Sequence, residues 1–207
     1  MDRGINMMKK SFWDMVAGVY DFFERAYNRK CYDSTGERVA QEIDSGDIVL
    51  ECACGTGSIS KPVAKKCMKL FAADMSANMM KRARKNCSEC RNIVFKKSDI
   101  MSINVRDDSF DKVVAGNVIH LLDEPYKAVD ELLRVCKKGG KVIIPTYINM
   151  GKQSSEFLIK LFDLAGAHFT KQFDRRSYEE FFIKGGYDVT FDIVEGKMPC
   201  AVAIIKK

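Results

Sequence analysis

The stretch IVLECACGTGSIS at residues 48–60 runs from unbroken aliphatics into an acid, two cysteines, two glycines and then serines. A short continuous apolar run ending at glycines suits a central strand buried on both faces. Gly55 and Gly57 let the chain turn sharply there and let a ligand approach without meeting a Cβ. A nucleotide-type site, a cysteine-based metal or redox site and a plain tight turn all use such a segment. The residues around it decide among them.

Working outward, strand-like and helix-like segments alternate. Before the stretch, Phe12, Val16, Tyr20, Phe23 and Tyr27 recur at helical spacing and predict a helix over 11–29, with Gly18 as a possible interruption. Ser34-Thr-Gly-Glu37 has capping-box spacing and predicts a second helix through about Ile43. After it come a helix over 58–67, the strand KLFAAD (69–74), and a helix capped by Ser76. The strands NIVFKK (92–97) and FDKVVAG (110–116), the helix EPYKAVDELLRVC (124–136) and the strand GKVIIPTY (140–147) follow. This order implies parallel pairing with right-handed crossovers, hence an α/β sandwich. A helical stretch over about 152–185 carries Phe157, Leu161, Phe181 and Phe182, and two last strands so close in sequence predict an antiparallel hairpin.

The chain of 207 residues is 46% apolar, enough to fill one core. We read a single domain over 1–207: an N-terminal helical lid (1–45), a cofactor-binding core (46–146), a helical substrate-side insertion (147–185) and the terminal hairpin (186–207). The polar start MDRGINMMKK predicts no signal peptide, and no apolar run is long enough for a membrane span. Eight cysteines then read as reduced thiols of a cytoplasmic protein. Cys87-Ser-Glu-Cys90 and Cys52/Cys54 lack companion ligands, so no metal is expected. The net charge of +6 is modest, and the basic run Lys81, Arg82, Arg84, Lys85, Arg91, Lys96 and Lys97 reads first as a solvated face, making a nucleic-acid partner unlikely.

The glycine spacing gives Gly55, Gly57 and then Ser60 in place of the third glycine of a dinucleotide fingerprint, with Glu51 four residues upstream. A carboxylate there repels a pyrophosphate but pairs with an amino-acid ammonium group. Asp74 closes the next strand, where a carboxylate can accept both hydroxyls of a ribose, and Asp99, followed by Ile100, closes the one after, where it can take an adenine amine. A helix cap for Asp74 and a turn acid for Asp99 are the plainer alternatives.

These residues, with ECACGTG (51–57), DMSANM (74–79), SDI (98–100), FDKVVAGNVIHLL (110–122) and LLRVCKKGGKVII (132–144), resemble the class I S-adenosylmethionine-dependent methyltransferases, close to the small-molecule branch of the ubiquinone and menaquinone methyltransferases. The resemblance covers about residues 11–146. It implies a seven-stranded, mostly parallel Rossmann-like sheet with helices on both faces and the antiparallel C-terminal hairpin. Glu51, Ala53, Cys54, Gly55 and Gly57 would line the methionine part of S-adenosylmethionine, Asp74 the ribose, Met75 and Ile100 the adenine, Asp99 its amine, and Asn117 the sulfonium. Ala53 stands where the family has its first glycine. The reaction would be in-line methyl transfer to a small organic acceptor, for which positioning supplies most of the catalysis. His120 is the first candidate base, with a hydrogen-bonded structural histidine as the other reading. Tyr20, in a segment resembling the one that closes over the cofactor, is either a catalytic and cofactor-contacting ring or ordinary helix packing. A catalytically silent cofactor-binding module and, less well supported, a nucleotide-dependent oxidoreductase remain as alternatives.

Overall fold

In the computed structural model, which describes residues 13–15, 17, 20–149 and 172–207, the aliphatic run forms the central strand β1 (Ile48–Cys52). Its side chains alternate between faces, as a pleated strand requires: Leu50 and Cys52 enter one core cluster and Val49 another. The strands β4 (Phe110–Ala115) and β5 (Cys136–Tyr147) repeat the division, with Val113, Val142 and Ile144 on the first face and Val114 and Ile143 on the second.

A sheet apolar on both faces must be covered on both. The helices α1 (Tyr20–Ala40), α2 (Ser60–Ala64) and α3 (Ala77–Asn86) bring Val39, Val63 and Ala83 to the second cluster. The helices α4 (Pro125–Val135) and α5 (Arg175–Lys184) bring Leu132 and Phe182 to the first. The Tyr178 hydroxyl, fully buried, donates to the Ile144 carbonyl and accepts from the Ala203 amide at 3.1 Å, fastening α5 to two strands at once.

With β2 (Lys69–Asp74), β3 (Ile93–Lys97), β6 (Val189–Val194) and β7 (Cys200–Lys206), the sheet has seven strands in the order β3-β2-β1-β4-β5-β7-β6. β1 pairs in parallel with β2 and β4, as β2 does with β3 and β4 with β5. β7 pairs antiparallel with both β5 and β6. The expected mostly parallel sheet with its C-terminal hairpin is therefore present, and β7 alone runs against the rest. Strand order reverses between β1 and β4, which opens a crevice at their C-terminal ends.

The element boundaries differ from expectation in three places. The predicted capping box at Ser34 is not a helix start: α1 continues through it, and the Thr35 hydroxyl donates back to the Cys31 carbonyl at 2.8 Å. The break falls instead at Asn28 (φ −132°, ψ 34°), whose amide side chain donates to Met198 O at 2.6 Å and accepts from Met198 N at 3.2 Å. The predicted helix over 58–67 shortens to α2, and β5 begins at Cys136 because Cys136 pairs with Phe110 and the next residues meet the last one of the sequence, Gly139 N donating to Lys207 O at 2.8 Å. Phe12, Val16, Phe157, Leu161 and the expected helix before 172 lie outside the described residues.

Candidate functional site

The turn after β1 is built from left-handed backbone: Ala53 (φ 54°), Gly55 (φ 52°) and Gly57 (φ 87°). The two glycines serve different ends. A Cβ on Gly57 would lie 2.9 Å from Cys87 Sγ and 3.3 Å from Ala83 Cα, so this glycine lets the turn pack against α3. A Cβ on Gly55 would meet nothing within 4 Å; it faces open space.

That space is a cavity of about 190 Å³ at the C-terminal ends of β1, β2, β3 and β4. Glu51, Ala53, Cys54, Gly55, Asp74, Met75, Asp99, Ile100 and Asn117 all line it. Gly57 and His120 do not, and the side chain of Tyr20 is outside the described residues. Trp13, Met101, Leu121 and Leu122 line it as well and were missed. A usable signal existed for two of them, since Leu121-Leu122 directly follow the fourth strand's Asn-Val-Ile-His turn.

Glu51 is 2% exposed and accepts from the Ser60 hydroxyl at 2.6 Å. Burial raises its pKa to about 8, helped by the nearby Asp74 charge and opposed by the Ser60 hydroxyl. Asp74 is also pushed above its ordinary value by burial, although backbone amides offset part of the shift: Ser76 N donates to one of its oxygens at 2.8 Å and Gly55 N to the other at 2.9 Å. Its carboxylate thus fixes the glycine turn and keeps acceptor capacity on each oxygen. Asp99 accepts from Met101 N at 2.9 Å, the turn contact that was its plainer reading, while still lining the cavity.

Asn117 (φ 51°) ties β4 to β5, its side-chain oxygen accepting from Tyr147 N at 2.9 Å. His120 sits on the short 3₁₀ turn Ile119–Leu121, where burial holds its pKa down to about 4. Ser76 caps α3 by accepting from Met79 N at 3.1 Å and donates to Asp14 at 2.5 Å; Asn78 Nδ2 donates to the Asp14 carbonyl at 2.9 Å. These bonds hold residues 13–15 against α3 and place Trp13 in the cavity wall. Among the described residues no group of three or more His, Cys, Asp or Glu side chains is placed to hold a metal, and no helix is long and apolar enough to cross a membrane.

The carboxyls of Glu51, Asp74 and Asp99, a turn open to a ligand and the apolar side chains of Trp13, Met101, Leu121 and Leu122 line one cavity, which offers acceptors for cationic and hydroxyl groups beside an apolar wall. The family model described as "Methyltransferase domain" matches residues 50–144. The chain is 32% identical over 163 residues to a demethylmenaquinone methyltransferase of Renibacterium salmoninarum, covering 72% of this chain and 65% of that one. It is also 32% identical over 138 residues to a phosphatidylethanolamine N-methyltransferase of Cereibacter sphaeroides, covering 65% and 66%. The chain thus spans 41% to 66% of the first curated relatives it matches. Among solved structures, a SAM-dependent methyltransferase of Thermotoga maritima, described as a possible histamine N-methyltransferase, superposes with TM-score 0.74 at 19% identity over 95% of this chain and 99% of that one.

Proposed function

We propose that the chain is a class I S-adenosylmethionine-dependent methyltransferase, as its matches to that family support, and that it methylates a small, apolar organic acceptor of the quinol type. The cavity carries this reading, because it joins the acidic pair Glu51 and Asp74 to an apolar wall of Trp13, Met101, Leu121 and Leu122. When bound, S-adenosylmethionine supplies an electrophilic methyl group on a good leaving group.

The residues present fit that cofactor. Gly55 leaves open the space a side chain would fill. Glu51 gains a partner for its buried carboxyl in an ammonium group, which draws its pKa back down. Asp74 accepts ribose hydroxyls, Asp99 faces the base amine, and Met75 and Ile100 supply apolar surface for the ring. The chain's remaining task is to hold an acceptor in line and exclude water. In this assignment residues 1–45 form the lid, 46–146 the cofactor core and 147–185 the acceptor side.

An activated ring carbon needs no strong base in the protein. That suits a site in which His120 does not line the cavity and has a pKa of about 4, too low for an efficient proton acceptor near neutrality. The named activities of the relatives, on demethylmenaquinone and on phosphatidylethanolamine, support an acceptor drawn from the lipid phase. The eight cysteines, all free thiols, support a reducing, cytoplasmic setting.

The test is transfer of a radiolabelled methyl group from S-adenosylmethionine to a short-chain naphthoquinol, with phosphatidylethanolamine vesicles in parallel. Label in the naphthoquinol is expected. Label in the phospholipid alone reassigns the acceptor, and cofactor binding with no transfer to either removes this acceptor class.

A further inference from the structure

The positive charge of the chain is not evenly spread. Residues 61–97 hold eleven basic and two acidic side chains, a net +9 against +6 for the whole chain, so the remainder is −3. Elsewhere several cations are closely matched: Arg38, Lys112, Arg134, Lys141 and Lys207 each have a carboxylate at 2.5–2.9 Å. In this segment Glu89 serves both Lys61 and Lys65, at 3.0 and 4.0 Å. Among the described residues, Lys66, Lys81, Lys85, Arg91, Lys96 and Lys97 have no carboxylate within ion-pair distance, and all six are exposed.

The fold gathers three of these cations on one flank. β3 is the sheet's edge and α3 packs on the face to which Ile93 and Phe95 turn, so Lys81 and Lys85 on the helix join Lys97 at the end of the strand. The flank ends at the cavity, because Ser98 and Asp99, next after Lys97, are in its wall. At the same rim Asp14 pins residues 13–15 to the start of α3, which leaves Met15 68% exposed while Trp13 lines the cavity.

We propose that this flank docks the protein on an anionic phospholipid surface, with the cavity mouth turned toward the lipid. Exposed cations on one flank, with an exposed apolar side chain at the same rim, are the usual makings of peripheral membrane binding. Nucleic acid fits less well. The two aromatic rings of the segment, Phe71 and Phe95, lie under Lys69 and Arg84 at 5.2 and 4.7 Å and offer no open face for a base to stack on. Docking here would bring a lipid-phase acceptor to the site without any membrane-spanning helix.

The experiment is co-sedimentation of the full chain with vesicles of phosphatidylcholine alone and of phosphatidylcholine mixed with phosphatidylglycerol, across a salt series. A short single-stranded RNA serves as competitor. Binding to the anionic vesicles only, falling with salt, is expected. The triple variant Lys81→Glu, Lys85→Glu, Lys97→Glu should lose more than about a hundredfold in partitioning, at roughly fivefold per charge, while its calorimetric titration with S-adenosylhomocysteine matches the wild type. That titration shows the variant folded and separates this proposal from the methyl-transfer reading, which fails independently if neither protein binds. Equal binding to both vesicle types, no effect of the triple variant, or displacement of the protein from vesicles by RNA each overturns the assignment.

Discussion

Enclosure of the Glu51 carboxyl moves its pKa from 4.5 to about 8. A carboxyl with a folded pKa above its unfolded one favours folding below the unfolded value and loses that contribution as pH rises through the folded value. His120, moved from 6.5 to about 4, acts in the opposite sense, with its contribution present above 6.5 and lost as pH falls toward 4. The Glu51 effect therefore stands clear of the histidine between 6.5 and about 8. There the ligand-free protein should lose thermal stability with rising pH, and Glu51→Gln should flatten that slope in scanning calorimetry. Cofactor affinity should rise over the same window, as ionised Glu51 meets an ammonium group, and stay flat in Glu51→Gln. Asp74→Ala should weaken cofactor binding by about 1–3 kcal/mol through lost charge-assisted hydrogen bonds, measured by calorimetry. Ala53 occupies left-handed backbone at φ 54°, so Ala53→Gly should raise stability by up to about 1 kcal/mol in denaturant unfolding. At this scale the positions of Glu51, Asp74 and Asp99 were readable, because strand ends and acids are local features. That Gly55 and Ser76 amides already engage Asp74 was not, since one donor comes from a neighbouring strand's turn.

Helices and strands with self-contained signals were read closely. Ser76 caps α3 as expected, and Pro125 opens α4 at a position where its missing amide costs nothing. Features set by partners far along the chain were not legible: the kink at Asn28 depends on Met198, and the early start of β5 on Phe110 and Lys207. The two glycines of the turn looked alike in sequence and differ in structure. Gly57→Ala should cost about 1–3 kcal/mol of stability by crowding Cys87 and Ala83. Gly55→Val should instead abolish cofactor binding, a loss that paired melting and binding curves would separate from any strain at φ 52°. The short segment at 13–15 carries the chain's one tryptophan into the cavity wall. Its fluorescence should therefore respond to S-adenosylhomocysteine, and Asp14→Ala, which removes the bonds to Ser76 and Asn78, should shrink that response.

Across the whole molecule, the alternation of strands and helices was enough to anticipate a layered parallel sheet, because a strand apolar on both faces demands cover on both. Strand order was less accessible, since it is decided by which edges pair in space; β7 inserts between β5 and β6. That order puts the reversal at β1 and β4 and so places Glu51, Asp74 and Asp99 around one cavity. On this reading that cavity receives an adenosyl amino acid. Calorimetric titration of the wild-type chain with S-adenosylhomocysteine tests it most directly: saturation of a single site, weakened in Asp74→Ala and absent in Gly55→Val, is the result expected. No binding by the wild type, or equal binding by all three proteins, would contradict it.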